Sequence, residues 1–323
     1  MASWVETAEE FNRRRGEPNY LDVVRRERYQ RVESRTGRPL VIYAADFLNR
    51  SKVQACKGEI EIDLGDRDGI IEVTKNVSGK NIDVLIHSPG GIPEAADSLV
   101  HVLRNRFEDV RFIVPSIAKS AATMLALSGD RLLIERNAEL GPIDPQIRFM
   151  KGDGTLVFAP AQAIIDQFEK AQDLLAKDPK RLPAWLPILQ QYGPALYQQC
   201  KTAMDLSKDY VRRYLETWMY GGDKKRTERA NAVVDYLADH NAFKTHGARV
   251  GYRELKDRGV NVDLLNDDPE LQVLIEDVMY GITYCFLQSG VYKLFENSRG
   301  EALLRQLISQ PMVLQAPMAP RVQ

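Results

Sequence analysis

Short apolar runs alternate with helical patterns between residues 39 and 134. Four of these runs have the length and composition of buried strands: residues 39–44, 83–86, 112–114 and 131–134. Helical patterns at residues 93–106 and 121–127 separate the later runs. Strands that alternate with helices are joined by crossover connections, which produce parallel sheets. The alternation therefore predicts an α/β fold with a largely parallel sheet.

The rest of the chain is expected to be mainly helical. Residues 59–64, EIEIDL, alternate in the way of a half-buried strand, but helical spacing prevails later, at 159–176, 195–220 and 269–286. For the Pro-rich connection 177–194 a packed loop is the favoured interpretation, and a contact surface or a lid is the alternative. We divide the chain into an N-terminal helical extension (1–34), a main domain (35–265) and a C-terminal helical segment that ends in a flexible tail (266–323).

Composition and charge exclude several classes of protein. With 323 residues and 44% hydrophobic content, the chain can bury a sizeable core. The net charge of −1 gives no sign of a nucleic-acid partner. No apolar run approaches the roughly 18 residues of a membrane span, and the N-terminus lacks the apolar centre of a secretory signal. Three widely separated cysteines lack metal-ligand or disulfide spacing, so we expect a cytoplasmic protein without a metal or a cofactor.

Ser120 lies where an apolar strand gives way to a helix of small residues. The run 112–114 ends at Pro115, a polar elbow follows, and residues 121–127 are predicted to form a buried helix. A serine at such a junction exposes its hydroxyl beside unpaired backbone N–H groups, which can bind an anion. This position suits the nucleophile of an acyl transfer, and a simple helix N-cap is the alternative.

A glycine loop follows another predicted strand. Ser88-Pro89-Gly90-Gly91 separates the strand at 83–86 from the helix at 93–106. Adjacent glycines let the backbone approach a ligand closely and leave N–H groups free to point at it. An ordinary turn is the alternative interpretation.

Together these stretches resemble the superfamily of Clp proteases and signal peptide peptidase A, and within it the serine dehydrogenase proteinase branch. Three motifs carry the resemblance in the order of that branch: HSPGG at 87–91, Val114-Pro115 followed by Ser120-Ala121-Ala122-Thr123, and GPIDPQ at 141–146. The resemblance covers about residues 35–265. It implies a ClpP/crotonase-like spiral of ββα units with a helical C-terminal half. It also implies an SppA-like serine peptidase that acts on a peptide or protein substrate as a homo-oligomer.

The same resemblance implies an oxyanion hole. In Clp-type enzymes the amide groups at the positions of Gly91 and Ala121 hold the oxyanion, and the peptide would lie along Gly90. The branch has Ser-Gly-Gly-Thr where this chain has alanines after Ser120, which keep the N–H groups but narrow the site. Lys119 stands where a Met is usual and is expected to add positive charge beside the nucleophile.

The general base is left open between three residues. The segment that corresponds to the histidine-bearing helix of Clp proteases, about 159–170, contains no histidine. Signal peptide peptidase A has a lysine about fifty positions after its serine, where this chain has Lys170, and Lys201 is a second lysine candidate. The serine dehydrogenase proteinase branch carries a Thr-His pair, which Thr245-His246 resembles. Histidine has a suitable unperturbed pKa for a base, and a helix-capping role is the alternative.

Other titratable residues are assigned lesser roles. His87 is expected to be buried and hydrogen-bonded at the end of a strand. Asp144 could hold a base, although closing a turn is the favoured role. His101 and His240 are expected on helix surfaces, with no function.

Three functions follow from these residues. The first is a serine peptidase that hydrolyses peptide bonds through Ser120. The alternative is a catalytically inactive relative that serves as a binding or assembly module, and the third is acyl-CoA chemistry on the same fold. Reactivity of Ser120 with a fluorophosphonate separates the first function from the other two.

Overall fold

A seven-stranded mixed sheet lies at the centre of the computed structural model, which describes residues 3–150, 154–190, 192, 193 and 195–307. Eleven strands occur in these residues: β1 (Leu40–Ala45), β2 (Asn81–His87), β3 (Asp109–Val114), β4 (Ile117–Ala118), β5 (Arg131–Ile134), β6 (Glu139–Leu140), β7 (Gln146–Met150), β8 (Leu156–Pro160), β9 (Val262–Leu264), β10 (Val291–Asn297) and β11 (Ala302–Gln306). The large sheet has the order β11–β10–β1–β2–β3–β5–β9. The strands β1, β2, β3, β5 and β9 are parallel, whereas β10 pairs antiparallel with both β1 and β11. The predicted α/β fold with a largely parallel sheet is confirmed.

Thirteen α-helices accompany the sheet in the described part of the chain: α1 (Trp4–Arg13), α2 (Tyr20–Thr36), α3 (Arg50–Cys56), α4 (Asp66–Thr74), α5 (Pro93–Arg104), α6 (Ala121–Ala126), α7 (Ala161–Lys177), α8 (Leu182–Leu189), α9 (Leu196–Tyr214), α10 (Arg226–Leu237), α11 (His240–Phe243), α12 (Tyr252–Asp257) and α13 (Pro269–Gln288). Two short 3-10 helices, Pro179–Arg181 and Leu265–Asp267, and a π-helical turn, Leu215–Met219, complete the helical elements of these residues. The five main helical predictions correspond to α5, α6, α7, α9 and α13.

Helices cover the large sheet on both faces, which explains its continuous apolar strands. In β1, Val41 and Tyr43 pack into a core shared with α4, α5 and α6. Leu40, Ile42 and Ala44 pack on the opposite face, in a core shared with α2 and α13. Successive side chains of a strand point to opposite faces, so all six residues of β1 are buried.

A second row of pairings runs across the carboxyl ends of β2, β3 and β5. Ser88 pairs with Ala118, β4 pairs with β6, and Leu140 pairs with Val250. The segment β3–β4–α6 thus consists of a strand in the large sheet, a strand in this second row and a helix. This is the ββα unit expected of the ClpP/crotonase-like fold. It brings the residues that follow β2, β4 and β6 next to one another.

Residues 59–64 do not form the strand that their alternation predicted. Ile60 and Ile62 are buried, as expected, but only Ile62 pairs, through a bridge to Gly91. Asp63 ends the extended segment, because its carboxylate accepts a hydrogen bond from the Gly65 N–H at 2.7 Å and turns the chain into α4.

The Pro-rich connection is not the packed loop that we favoured. Residues 182–189 form α8, in which no residue is buried. Leu182, Leu186 and Ile188 are exposed. Pro183 lies in the first turn, where a missing N–H group is tolerated, whereas Pro187 lies inside α8 and removes one intrahelical hydrogen bond. The helix forms in spite of both prolines.

The C-terminal segment contains two strands that the sequence did not predict, β10 and β11, in addition to α13. Lys293 of β10 is fully buried. Its ammonium lies 2.8 Å from a carboxylate oxygen of Asp66 and donates to the Glu61 carbonyl oxygen at 2.7 Å. These partners compensate the charge inside the core. The expected flexible tail after residue 310 lies outside the described residues.

Candidate active site

Ser120 occupies a strained backbone position at the start of α6. Its φ is +52° and its ψ is −122°, a conformation that residues other than glycine rarely adopt. The side chain makes no capping hydrogen bond to α6, so Ser120 does not act as a simple N-cap. A sharp turn between strand and helix exposes the serine hydroxyl, which is the arrangement found at nucleophile elbows.

The glycine loop after β2 packs directly against Ser120. A Cβ atom added to Gly90, where φ is +95°, would lie 2.5 Å from the Lys119 carbonyl oxygen and 2.8 Å from the Ser120 Cβ. A Cβ atom added to Gly91 would lie 2.4 Å from the backbone nitrogen and oxygen of Ile62. Close backbone approach therefore requires a glycine at both positions.

Two backbone amides beside Ser120 are free to bind a ligand. Ile62 donates to the Gly90 carbonyl at 2.7 Å and accepts from the Ile92 N–H at 2.9 Å. In a parallel pairing, the N–H of the intervening residue, Gly91, points to the opposite side. The Ala121 N–H begins α6 and has no partner within the helix. Within the described ranges, neither of these two N–H groups donates a backbone hydrogen bond.

The carboxylate of Asp144 is buried between two histidines. Its Oδ1 lies 2.8 Å from His246 Nδ1, and its Oδ2 lies 2.9 Å from His240 Nδ1. Asp144 is 1% exposed. Beside an ionised carboxylate, which only accepts hydrogen bonds, His246 Nδ1 is the donor of this contact, and Nε2 is the ring nitrogen left for another partner.

Ser120 and His246 line the same cleft. The cleft has a volume of about 520 Å³ and is also lined by Gly90 and Gly91. The β7–β8 hairpin forms one wall and contributes Phe158, among other residues. The cleft therefore brings together a serine, a histidine held by a carboxylate, and a glycine loop, which are the components of a hydrolytic serine site.

Lys119 and Thr123 form hydrogen bonds to the segments that precede Asp144 and follow His246. The Lys119 ammonium donates to the carbonyl oxygens of Leu140 at 3.1 Å and Ala248 at 3.0 Å, and it forms an ion pair with Glu139 at 2.9 Å. Thr123 Oγ1 accepts from the Gly141 N–H at 2.9 Å. The Lys119 ammonium is thus paired with Glu139, and the expectation that it adds positive charge beside Ser120 stays a prediction.

The site lies inside a stretch that matches a known protein family. The family model of the ClpP-like SDH-type serine proteinases matches residues 61–277, about two thirds of the chain. The chain belongs to this family. The matched span contains the glycine loop, Ser120, Asp144 and His246.

Two curated relatives of this chain are uncharacterized proteins of Methanocaldococcus jannaschii. MJ0137 is 28% identical over 197 residues, which are 61% of this chain and 58% of the relative. MJ1495 is 24% identical over 184 residues, which are 56% of this chain and 52% of the relative. The chain thus spans a little more than half the length of these relatives.

The chain is also distantly similar to solved structures. A variant of the 1510-N membrane-bound stomatin-specific protease is 14% identical with a TM-score of 0.38, over 65% of this chain and 78% of that one. The ClpP protease catalytic domain from Plasmodium falciparum is 12% identical with a TM-score of 0.34, over 63% and 80%. The family match and the strand topology, rather than these scores, establish the ClpP-like fold here.

The structure does not bring the two candidate lysines, Lys170 and Lys201, to the cleft. Lys170 lies on an exposed side of α7, and Lys201 lies on an exposed side of α9 with its ammonium 5.2 Å from the centre of the Tyr197 ring. Neither lysine lines the cleft. A lysine becomes a base only where burial or a positive neighbour lowers its pKa, and both side chains are exposed.

His87 is buried but not hydrogen-bonded in the way that we expected. Its Nδ1 atom has no hydrogen-bond partner among the described residues. Burial lowers the pKa of His87 to about 4, so the ring is neutral at pH 7. The ring packs against Phe47, with 4.9 Å between the ring centres. His87 does not line the cleft and has a packing role.

The sequence analysis gave too small a role to two residues beside the cleft, Asp144 and His240. The favoured role of Asp144 was to close a turn, but its carboxylate binds both histidines. His240 was expected on a helix surface, but its side chain is 12% exposed and faces Asp144. The signal available in the sequence was an acidic residue in the GPIDPQ motif together with two histidines six positions apart.

Within the described ranges, no helix has the length and apolar character needed to cross a bilayer. The same residues include no group of three or more His, Cys, Asp or Glu side chains arranged to hold a metal ion.

Proposed function

We propose that the chain is a serine peptidase that hydrolyses peptide bonds through Ser120. The observation that carries this proposal is the cleft shared by Ser120 and His246, together with the hydrogen bond from His246 Nδ1 to the buried Asp144. A serine hydroxyl is almost entirely protonated at neutral pH and needs an adjacent base. His246 Nε2 supplies that base, and Asp144 keeps the ring in the required tautomer.

The proposed reaction has two stages. Ser120 Oγ attacks the peptide carbonyl while His246 Nε2 takes its proton, and the N–H groups of Gly91 and Ala121 stabilise the oxyanion. His246 then protonates the leaving amine as the C–N bond breaks. A water molecule, deprotonated by His246, hydrolyses the acyl-enzyme and regenerates Ser120. Oxyanion donors of this kind are each worth about 3–4 kcal/mol in the transition state.

The peptide substrate would bind in an extended form along Gly90 and Gly91. Ile62 already pairs with one edge of this loop, so the substrate would use the edge that faces the cleft. Met124 and Ile143 line the cleft near Ser120 and favour an apolar substrate side chain.

Intact-mass labelling with a fluorophosphonate tests this function. Wild type should gain one adduct, and Ser120→Ala should gain none. His246→Ala should be labelled at least about 100-fold more slowly, in the range reported for loss of a catalytic base. Lys170→Ala and Lys201→Ala are the matched controls and should be labelled like wild type. A folded wild type that gains no adduct would instead support the inactive binding or assembly module.

We further propose that this protein resides in the cytoplasm and that it self-associates. The described cysteines are all free and buried, which suits a reducing compartment. The exposed Leu182, Leu186 and Ile188 on α8 present the kind of apolar surface that protein contacts bury. Leu186→Asp should therefore reduce the assembled fraction in mass photometry, whereas Lys170→Asp should not. An assembly that is unchanged by Leu186→Asp would place the contact elsewhere.

A further inference from the structure

We propose that His240 is a positioning residue of the active site, which sets the orientation of Asp144 and, through it, that of His246. The inference rests on the proposed peptidase function and concerns a residue to which that mechanism gives no role. The inference is based on the observation that the two oxygens of one buried carboxylate contact two different histidines. His246 takes Oδ1 at 2.8 Å, and His240 takes Oδ2 at 2.9 Å.

A buried carboxylate needs donors on both oxygens. Asp144 is 1% exposed, so protein groups must replace the water that would otherwise solvate it. Oδ1 is bound by His246, and Oδ2 is bound by His240 and, at 3.2 Å, by Gln146 Nε2. His240 provides the shorter of the two contacts to Oδ2. Without His240, only the longer contact from Gln146 would hold Oδ2.

The orientation of the carboxylate decides the orientation of the base. The torsion about the bond to the carboxylate carbon is broad and is set by hydrogen bonds rather than by a steep rotamer well. When Oδ2 is held by His240, Oδ1 is directed at His246 Nδ1. His246 is thereby held in the position in which it lines the cleft that contains Ser120. Groups that orient a ligand or a base from behind often matter almost as much as the base itself.

His240 acts only from behind Asp144. It lines a separate cavity of about 280 Å³ and is absent from the lining of the Ser120 cleft. The charged groups that face this cavity are Lys208 of α9, Asp235 of α10 and the neighbouring Asp239. Asp239 caps α11 by accepting the Ala242 N–H at 3.0 Å. The cap fixes the turn that presents His240.

The backbone keeps the two partners in register. The Ile143 N–H donates to the Leu237 carbonyl at 2.9 Å, which ties the residue before Asp144 to the end of α10. His240 follows α10 by three residues. The distance between Asp144 and His240 is thus defined by the main chain, and a side-chain replacement at position 240 removes the donor without moving the carboxylate segment.

Two replacements separate hydrogen bonding from packing. His240→Phe keeps a ring of similar size and removes the donor, whereas His240→Asn loses the ring and keeps an N–H donor close to the position of Nδ1. We expect the rate of fluorophosphonate labelling of Ser120 to fall by about 10- to 100-fold in His240→Phe and to stay close to wild type in His240→Asn. His101→Phe, at an exposed histidine that also lies beside an aspartate, is the control.

The NMR signal of the His246 Nδ1 proton gives a readout that does not depend on activity. The chain has only four histidines, so this proton can be assigned with His246→Gln. A proton shared with a buried carboxylate exchanges slowly and resonates far downfield. The signal should be present in wild type and His240→Asn, and it should be lost or exchange rapidly in His240→Phe.

The outcomes distinguish the two proposals. His240→Phe that matches wild type in both labelling and NMR would overturn the positioning role. Equal impairment of His240→Phe and His240→Asn would also overturn it, because packing would then be the cause. If wild type is not labelled while the NMR signal depends on His240 as expected, the peptidase function fails and the positioning of Asp144 stands.

Discussion

Gly90 packs so tightly against Ser120 that a Cβ atom on the glycine would lie 2.8 Å from the serine Cβ. The loop that follows β2 and the turn that follows β4 therefore form one continuous backbone surface. Residue 90 therefore has to be a glycine for the site to keep its shape, although a glycine has no side chain that could take part in the proposed chemistry.

Gly90→Ala should abolish labelling of Ser120. The added methyl group would lie 2.5 Å from the Lys119 carbonyl oxygen, and φ at Gly90 is +95°, so the loop must move. Gly79→Ala is the matched control, because Gly79 has a φ of +96° but its nearest neighbour would be 3.6 Å away. We expect Gly79→Ala to cost about 1 kcal/mol of stability and to leave the labelling rate intact. Rapid labelling of Gly90→Ala would contradict the close packing.

Lys119→Met should slow labelling while leaving the fold intact. The replacement removes the hydrogen bonds to the carbonyl groups of Leu140 and Ala248, which hold the segments before Asp144 and after His246. A loss of about 1–3 kcal/mol is expected for hydrogen bonds made by a charged group. Urea denaturation measures the stability, and the labelling rate measures the site. Lys75→Met, at an exposed lysine paired with Glu72, should change neither.

His87 should make the protein less stable in mild acid. Burial lowers the pKa of His87 from 6.5 to about 4, so between these values the unfolded chain binds a proton that the folded chain does not. Above pH 6.5 the histidine is neutral in both states and does not lower the free energy of unfolding. As the pH falls toward 4, the free energy of unfolding decreases by roughly 3 kcal/mol, at about 1.4 kcal/mol per pH unit.

His87→Phe, which keeps the packing against Phe47, removes this dependence. The variant should therefore gain stability relative to wild type as the pH is lowered, and urea denaturation at several pH values measures the difference. All other acid-sensitive groups are present in both proteins, so their effects cancel in the difference in stability. A difference that does not vary with pH would show that His87 binds its proton equally well in the folded and the unfolded chain.

Lys293→Met should destabilise the fold by about 3–5 kcal/mol. The change leaves the fully buried Asp66 without the ammonium that lies 2.8 Å away. Lys80→Met, which breaks an exposed ion pair with Glu108, should cost less than about 1 kcal/mol. Thermal or urea unfolding compares the two. If both variants lose a similarly small amount of stability, the neighbouring Arg305 replaces Lys293 as the partner of Asp63 and Asp66.

Local signals in the sequence were sufficient for the parallel part of the sheet. The predicted strands at 83–86, 112–114 and 131–134 correspond to β2, β3 and β5 because both faces of these strands are covered and their residues are continuously apolar. The elbow at Ser120 was predictable for a similar reason, since a strand, a proline and a run of small residues meet there.

Strand β10 could not be predicted in this way because charged residues interrupt its apolar pattern. Lys293 and Glu296 are both buried, and their partners are Asp66 and Arg25, more than 200 residues away in the chain. The arrangement around Asp144 could not be predicted for the same reason, because the partners of this residue are far away in the chain. It forms contacts with His240 and His246 about 100 residues downstream, and nothing local identifies which histidine a carboxylate will reach.

The position of β1 limits how this protein can be divided for experiments. β1 pairs with β2 inside the large sheet, yet it precedes the stretch 61–277 that the family shares, and β10 and β11 follow that stretch. A fragment trimmed to the shared stretch would lose three strands and expose the edge of β2, whose unpaired N–H and C=O groups would recruit other chains. It would also lose Lys293, which holds the segment before Ile62. Recombinant versions should therefore extend at least from the start of α2 at residue 20, which covers one face of the sheet, to residue 306. A shorter version is expected to aggregate.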